Sequence, residues 1–138
     1  MPLHWTVDSQ NQTFEVVADG VVDLGEVNAM IDALVGANAL GYRKLFDGTL
    51  GDTRMGAMDI LSVGVRLRGL HAGNTLGPLA VVVPKEKYEL LSRVLGILAA
   101  ARRPMAVFTE TGKARKWLES PAIRGTLQVA ELGPTASR

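Results

Sequence analysis

The chain predicts a single α/β domain on a five-stranded mixed, mostly parallel sheet, with elements in the order ββαβαβαβα. Three observations carry this. Two short alternating runs, Leu3–Asp8 and Thr13–Asp19, stand close together at the start. Three later runs, Arg43–Asp47, Leu79–Val83 and Met105–Thr109, are more continuously apolar, as in strands covered on both faces. Between them, apolar residues recur at helical spacing.

In the first run Leu3, Trp5 and Val7 alternate with His4, Thr6 and Asp8, which is the period of a half-buried strand. A polar turn, Ser9 to Gln12, leads to Phe14, Val16 and Ala18, so an antiparallel hairpin is expected. Asp19-Gly20 is expected to break the second strand. Asp23, with Glu26 three residues on, reads as a helix N-cap. Val27, Met30, Ile31, Leu34 and Val35 line one face of that helix, which Asn38 and Gly41 end. Tyr42 to Asp47 then enters the core as a strand.

Gly48 to Gly56 reads as a glycine-rich loop, followed by a second helix from Ala57 to Leu70. After Leu79–Val83, Pro84 starts a third helix, Lys85 to Arg102, and Pro104 separates it from the fifth strand. Thr109 or Thr111 is expected to cap a short closing helix carrying Ala114, Trp117 and Leu118. Trp117 reads as the anchor that docks this helix on the sheet. The domain is expected to span 1–120. Residues 121–138 form an extension, with Thr126–Leu132 as an extra strand or a loose tail. Right-handed crossovers between neighbouring strands put every helix on one side of the sheet. The other side would then expose parts of Leu45, Phe46, Val81, Val82, Val107 and Phe108, to be covered by the C-terminal segment, a rearranged helix or a second subunit. The second and third helices are apolar on more than one face, which points to a homodimer.

Composition narrows the function classes. The 138 residues are 47% hydrophobic and 21% charged, which suits an ordinary globular protein. The absence of cysteine excludes disulfides, thiolate metal sites and cysteine nucleophiles. Neither a signal peptide nor an apolar run of the ~18 residues needed to span a bilayer is visible, so a cytoplasmic protein is expected. Residues 1–60 hold three basic and nine acidic side chains, residues 61–138 twelve and five. No Lys/Arg run exceeds two and aromatics are few, so a nucleic-acid partner is not expected. No phosphate-binding glycine motif occurs, and His4 and His71 have no metal-ligand spacing. No catalytic constellation, cofactor or metal is expected.

The best site candidate leaves the carboxyl end of the central strand, where open α/β sheets place ligands. The candidate partner- or ligand-binding residues are Asp47, Thr49, Asp52, Thr53, Arg54, Met55 and Met58, with Thr53 the candidate phosphoacceptor or helix cap.

With the strands placed, residues 3–119 resemble the SpoIIAA-like branch of the STAS fold. The resemblance rests on Tyr42-Arg-Lys-Leu-Phe-Asp47, Gly77-Pro-Leu-Ala-Val-Val-Val83 and Val107-Phe-Thr-Glu-Thr-Gly-Lys-Ala-Arg-Lys-Trp-Leu118. It implies a sheet wound with helices as a superhelix, and a regulatory or interaction module rather than an enzyme. In regulatory members a Ser or Thr at the start of the second helix is phosphorylated within an Asp-Ser-Ser-Gly-like motif. The corresponding stretch here is Gly51-Asp-Thr-Arg-Met-Gly56. Lipid-carrying relatives of the SEC-fourteen type imply the alternative, an apolar ligand held between helices and sheet, with Met55, Met58, Leu61, Val65 and Leu91 as its lining.

Overall fold

The structure, a computed structural model, describes residues 2–53, 55–73, 77–90, 92, 93 and 104–120. Five strands form one sheet in the spatial order of the chain: β1 (Leu3–Asp8), β2 (Thr13–Val22), β3 (Arg43–Thr53), β4 (Leu79–Val82) and β5 (Met105–Phe108). β1 pairs antiparallel with β2, and the remaining neighbours are parallel. Phe46, Val81 and Val107 stand side by side across the three central and distal strands. The mixed, mostly parallel sheet read from the sequence is therefore the observed one.

The described residues include helices α1 (Leu24–Gly36), α2 (Ala57–Gly73) and α3 (Thr111–Glu119). The Asp23 carboxylate accepts the Glu26 N–H at 2.9 Å and fixes the start of α1, as the spacing predicts. Asn38, at φ 56°, takes the left-handed turn beyond its end. The helix expected from Lys85 opens as a 3-10 turn, Lys85–Lys87, and 88–90, 92 and 93 are helical. Leu91 and residues 94–102 of that expected helix lie outside the described residues, as do 121–138 with the expected strand Thr126–Leu132.

The crossover helices α1 and α2 share one side of the sheet. There Phe14, Val16, Ala18, Val27, Ile31, Leu34 and Val63 form the main buried cluster. The closing helix α3 departs from the expected arrangement and lies on the other side. Ala114 and Leu118 pack with Leu45, Ala80 and Val82, and Phe108 and Trp117 border the cluster with ring centroids 5.8 Å apart. The reason is topological: α3 follows the last described strand, is no crossover, and is free to fold back over the bare face. Trp117 docks it, as its place in the sequence suggested.

The loop expected at Gly48–Gly56 is largely strand. β2 does not break at Asp19-Gly20 but runs to Val22, with Gly20 at φ 113°, and gives β3 a template as far as Thr53. The pairing slips once: Val17 faces Asp47 and Asp19 faces Leu50, so Ala18 stands against both Gly48 and Thr49. Such a bulge bends the strand and keeps the ladder going. Beyond it, a β-carbon on Gly51 would come 2.7 Å from the Ala18 methyl, so only glycine fits there. Gly77 is held more tightly still, since a β-carbon would lie 2.2 Å from the Tyr42 carbonyl oxygen.

Candidate functional site

The four strands β2 to β5 end at one edge of the sheet, and β3 reaches furthest beyond β4. Asp47 is level with Val82 and Phe108 at this edge. Its Oδ1 accepts the Thr49 N–H at 3.1 Å and the Thr49 hydroxyl at 2.7 Å, which ties the bulge. Its Oδ2 receives the Thr111 hydroxyl at 3.4 Å, linking β3 to the first turn of α3. The cap position of α3 is Glu110, whose side chain makes no cap bond, so neither threonine caps it as expected. One turn on, Arg115 grips Glu15 of β2 through both guanidinium nitrogens. That bidentate bond, with the charges of Glu15, Asp47 and Glu119, holds the Arg115 pKa above its ordinary value.

Past the bulge, β3 pairs with β2 and, among the described residues, with no other strand. Leu50 is 69% exposed, and Val17 and Val21 on β2 are also exposed. Asp52 receives the Lys87 ammonium at 2.9 Å and the Thr53 N–H at 2.8 Å. The Lys87 hydrogen bond first, then that from Thr53 and the Lys87 charge, hold the Asp52 carboxyl below the usual carboxylate range. The Thr53 hydroxyl donates to the Val22 carbonyl at 2.9 Å and accepts the Met55 N–H at 3.0 Å. Thr53 therefore does not cap α2, which begins at Ala57; it fastens the tip of β3 to β2 just before the helix.

The structure divides the predicted residues into two groups. Asp47 and Thr49 belong with Thr111 beside α3, while Asp52 and Thr53 form the outer tip with Lys87. Met55 is half-buried against the main core. Met58 is 77% exposed, and Leu61 and Val65 are also exposed, so the apolar lining expected between helices and sheet turns to solvent at these positions. Arg54 and Leu91 lie outside the described residues. Sequence reading missed Glu15, Lys87, Thr111 and Arg115 as parts of these clusters. Their partners are 35 to 100 residues away, and no local spacing signals such pairs.

An open groove of about 540 Å³ lies at the same edge, between β5, the start of α3 and the turn at Lys85–Lys87. Tyr88, Val107 and Phe108 give it an apolar wall, and Lys85, Glu86, Glu89, Thr109 and Lys113 a polar one of mixed charge. Among the described residues no group of three or more His, Asp or Glu could hold a metal, and no helix is long and apolar enough to cross a membrane. The edge presents exposed apolar strand, short hydroxyl side chains and paired charges.

No protein-family model matches the chain, and no curated protein matches it. Among solved structures it is similar to an uncharacterized protein of the DUF3478 family with a SpoIIAA-like fold, from Shewanella loihica PV-4. The identity is 19%, the TM-score 0.57, and the match covers 84% of this chain and 91% of that one. The strand order, the paired crossover helices on one face and this similarity together give the chain a SpoIIAA-like α/β fold.

Proposed function

We propose that the chain is a non-enzymatic regulatory or interaction module of STAS-like type, homodimeric and cytoplasmic, that docks a protein partner on the outer tip of β3. The observation that carries this is the tip itself: Leu50 is 69% exposed beside Val21, and Thr53 closes the tip at the entrance to α2. Thr53 is the switch. Phosphorylation removes the hydroxyl proton, so the bond to the Val22 carbonyl is lost. It also adds about −1.5 to −2 charge ahead of a 17-residue helix, where the dipole favours an anion. The modified tip would lose this fastening to β2 and present a new anionic face.

The test is affinity capture from a lysate of the source cells, with immobilised wild type, Leu50→Asp and Thr53→Glu, alongside intact-mass measurement of the native protein. The reading expects a protein retained by wild type and lost from both variants, and a phosphate-sized mass increment mapping to Thr53. Identical retention on all three contradicts it.

A second reading is favoured by the groove at β5: a small amphiphilic ligand, its apolar body on Tyr88 and Phe108 and its polar end among Lys85, Glu86, Glu89 and Lys113. The volume is within the range of small-molecule sites. Native mass spectrometry after gentle desalting checks it. Retention of a small ligand that Phe108→Ala abolishes is expected, and an empty protein contradicts it.

A further inference from the structure

We propose that two copies of this chain join along β1, edge to edge, into one continuous ten-stranded sheet. The inference gives an interface to the dimer of the proposed function and does not involve Thr53.

Among the described residues β1 is an end strand of the sheet. The Asp19 N–H donates to the Pro2 carbonyl at 2.7 Å, which makes these two facing residues a hydrogen-bonded pair. In an antiparallel ladder such pairs alternate with pairs whose polar groups point away. His4, Thr6 and Asp8 therefore turn their N–H and C=O groups toward β2, and Leu3, Trp5 and Val7 turn theirs outward. No described residue outside the strand ladder bonds the backbone groups of these three.

The outward residues are symmetric about Trp5. An antiparallel copy centred there sets Trp5 against the partner's Trp5, and Leu3 against the partner's Val7. All three outward pairs then exchange two N–H···O=C bonds each. Sliding the copy by two residues in either direction leaves only two such pairs, and sliding by one sets outward groups against inward ones. Symmetry thus selects one register.

The side chains agree with it. Leu3, Trp5 and Val7 lie on the face that α1 covers; Leu3 is buried, Trp5 packs half-buried against the core, and Val7 is 40% exposed. Pairing covers Val7 with the partner's Leu3 and brings the two indoles together. Asp8 falls opposite the partner's Pro2, so no like charges face each other. Natural edge strands usually carry a lysine, a proline or a bulge that discourages pairing. β1 contains no lysine or proline, and its register with β2 has no bulge. A self-complementary edge with aromatic residues on its axis fits a second copy, as in other twofold interfaces.

Sedimentation equilibrium of the full chain at tens of micromolar tests this. The expected mass is twice 14.7 kDa. Val7→Pro removes one outward donor and leaves the inner ladder intact, and Val7→Lys adds an edge charge; both should be monomeric with unchanged circular dichroism. In a chain without cysteine, Trp5→Cys should oxidise to a linked dimer, because paired α-carbons ~5.5 Å apart suit a disulfide. Val7→Cys should not, since its symmetry mate is roughly 14 Å away at strand spacing. A monomeric wild type overturns the proposal and leaves the Thr53 reading standing. A dimer that survives Val7→Pro and Val7→Lys also overturns it. So does a dimer that instead dissociates with Val65→Asp on the exposed face of α2, which would place the interface there. Capture unaffected by Thr53→Glu would end the Thr53 reading and leave this interface standing.

Discussion

β3 contains two strands of opposite character. From Arg43 to Asp47 it runs between β2 and β4, and its Leu45 is buried under α3. From Leu50 to Thr53, among the described residues, it pairs with β2 and no other strand, and Leu50 stands in solvent. The same backbone passes from a residue type that packing dictates to one that packing leaves free. The dividing point is Asp47, whose carboxylate ties the bulge on one side and α3 on the other. The difference teaches where to look for function in a fold whose described residues hold no metal-binding cluster. The inner half supports the sheet, and the outer half rests on its ladder with β2 and on the side-chain bonds of Asp52 and Thr53.

Substitutions test that division. The largest effect belongs to the inner half and its cover: Leu45→Ala and Trp117→Ala should each cost about 3 kcal/mol, measured by urea unfolding. Leu50→Ala should change stability by no more than about 0.5 kcal/mol, although only four residues lie between it and Leu45. An equal loss at both positions would erase the contrast.

Gly51→Ala comes next, because the added methyl meets the Ala18 side chain. A cost of about 1–3 kcal/mol is expected, and the double variant Gly51→Ala with Ala18→Gly should recover part of it. Thr53→Val keeps the shape and removes the hydroxyl that bridges Val22 and Met55. About 1 kcal/mol should be lost in thermal unfolding.

The smallest effect is electrostatic. Asp52 has its pKa lowered by Lys87, so its contribution is present above the unfolded carboxylate pKa and is lost as pH falls through the lower folded value. The pair is exposed, so salt should weaken it. Titration of the Asp52 carboxyl by NMR should show a midpoint below the usual range in wild type, moving upward in Lys87→Met. An unmoved midpoint would remove Lys87 as the cause.

Much of the fold was legible because the signals are local. Leu3–Asp8 alternates, the Asp23–Glu26 spacing caps α1, and prolines bound the apolar runs near β4 and β5. The sequence misled where a neighbour overrides local chemistry. Gly48 to Thr53 has the composition of a loop, yet a β2 that extends past Gly20 pulls it into the sheet. The side chosen by α3 was also hidden, because only crossovers obey a handedness rule. Of the candidate site, Asp47, Thr49, Asp52 and Thr53 were named from their place after a central strand. Lys87, Thr111 and Arg115 were not, since their pairing depends on strands and helices distant in the chain. Met58 was read as a lining residue from its apolar character alone, and helix rotation sets it outward.

Native-state hydrogen exchange along β3 tests the central division most directly. Amides of Leu45 to Asp47 should exchange only through global unfolding. Those of Leu50 to Thr53 should exchange through a local opening at least tenfold faster, and faster again in Thr53→Val. Uniform protection from Leu45 to Thr53, unaltered by that substitution, would contradict the account.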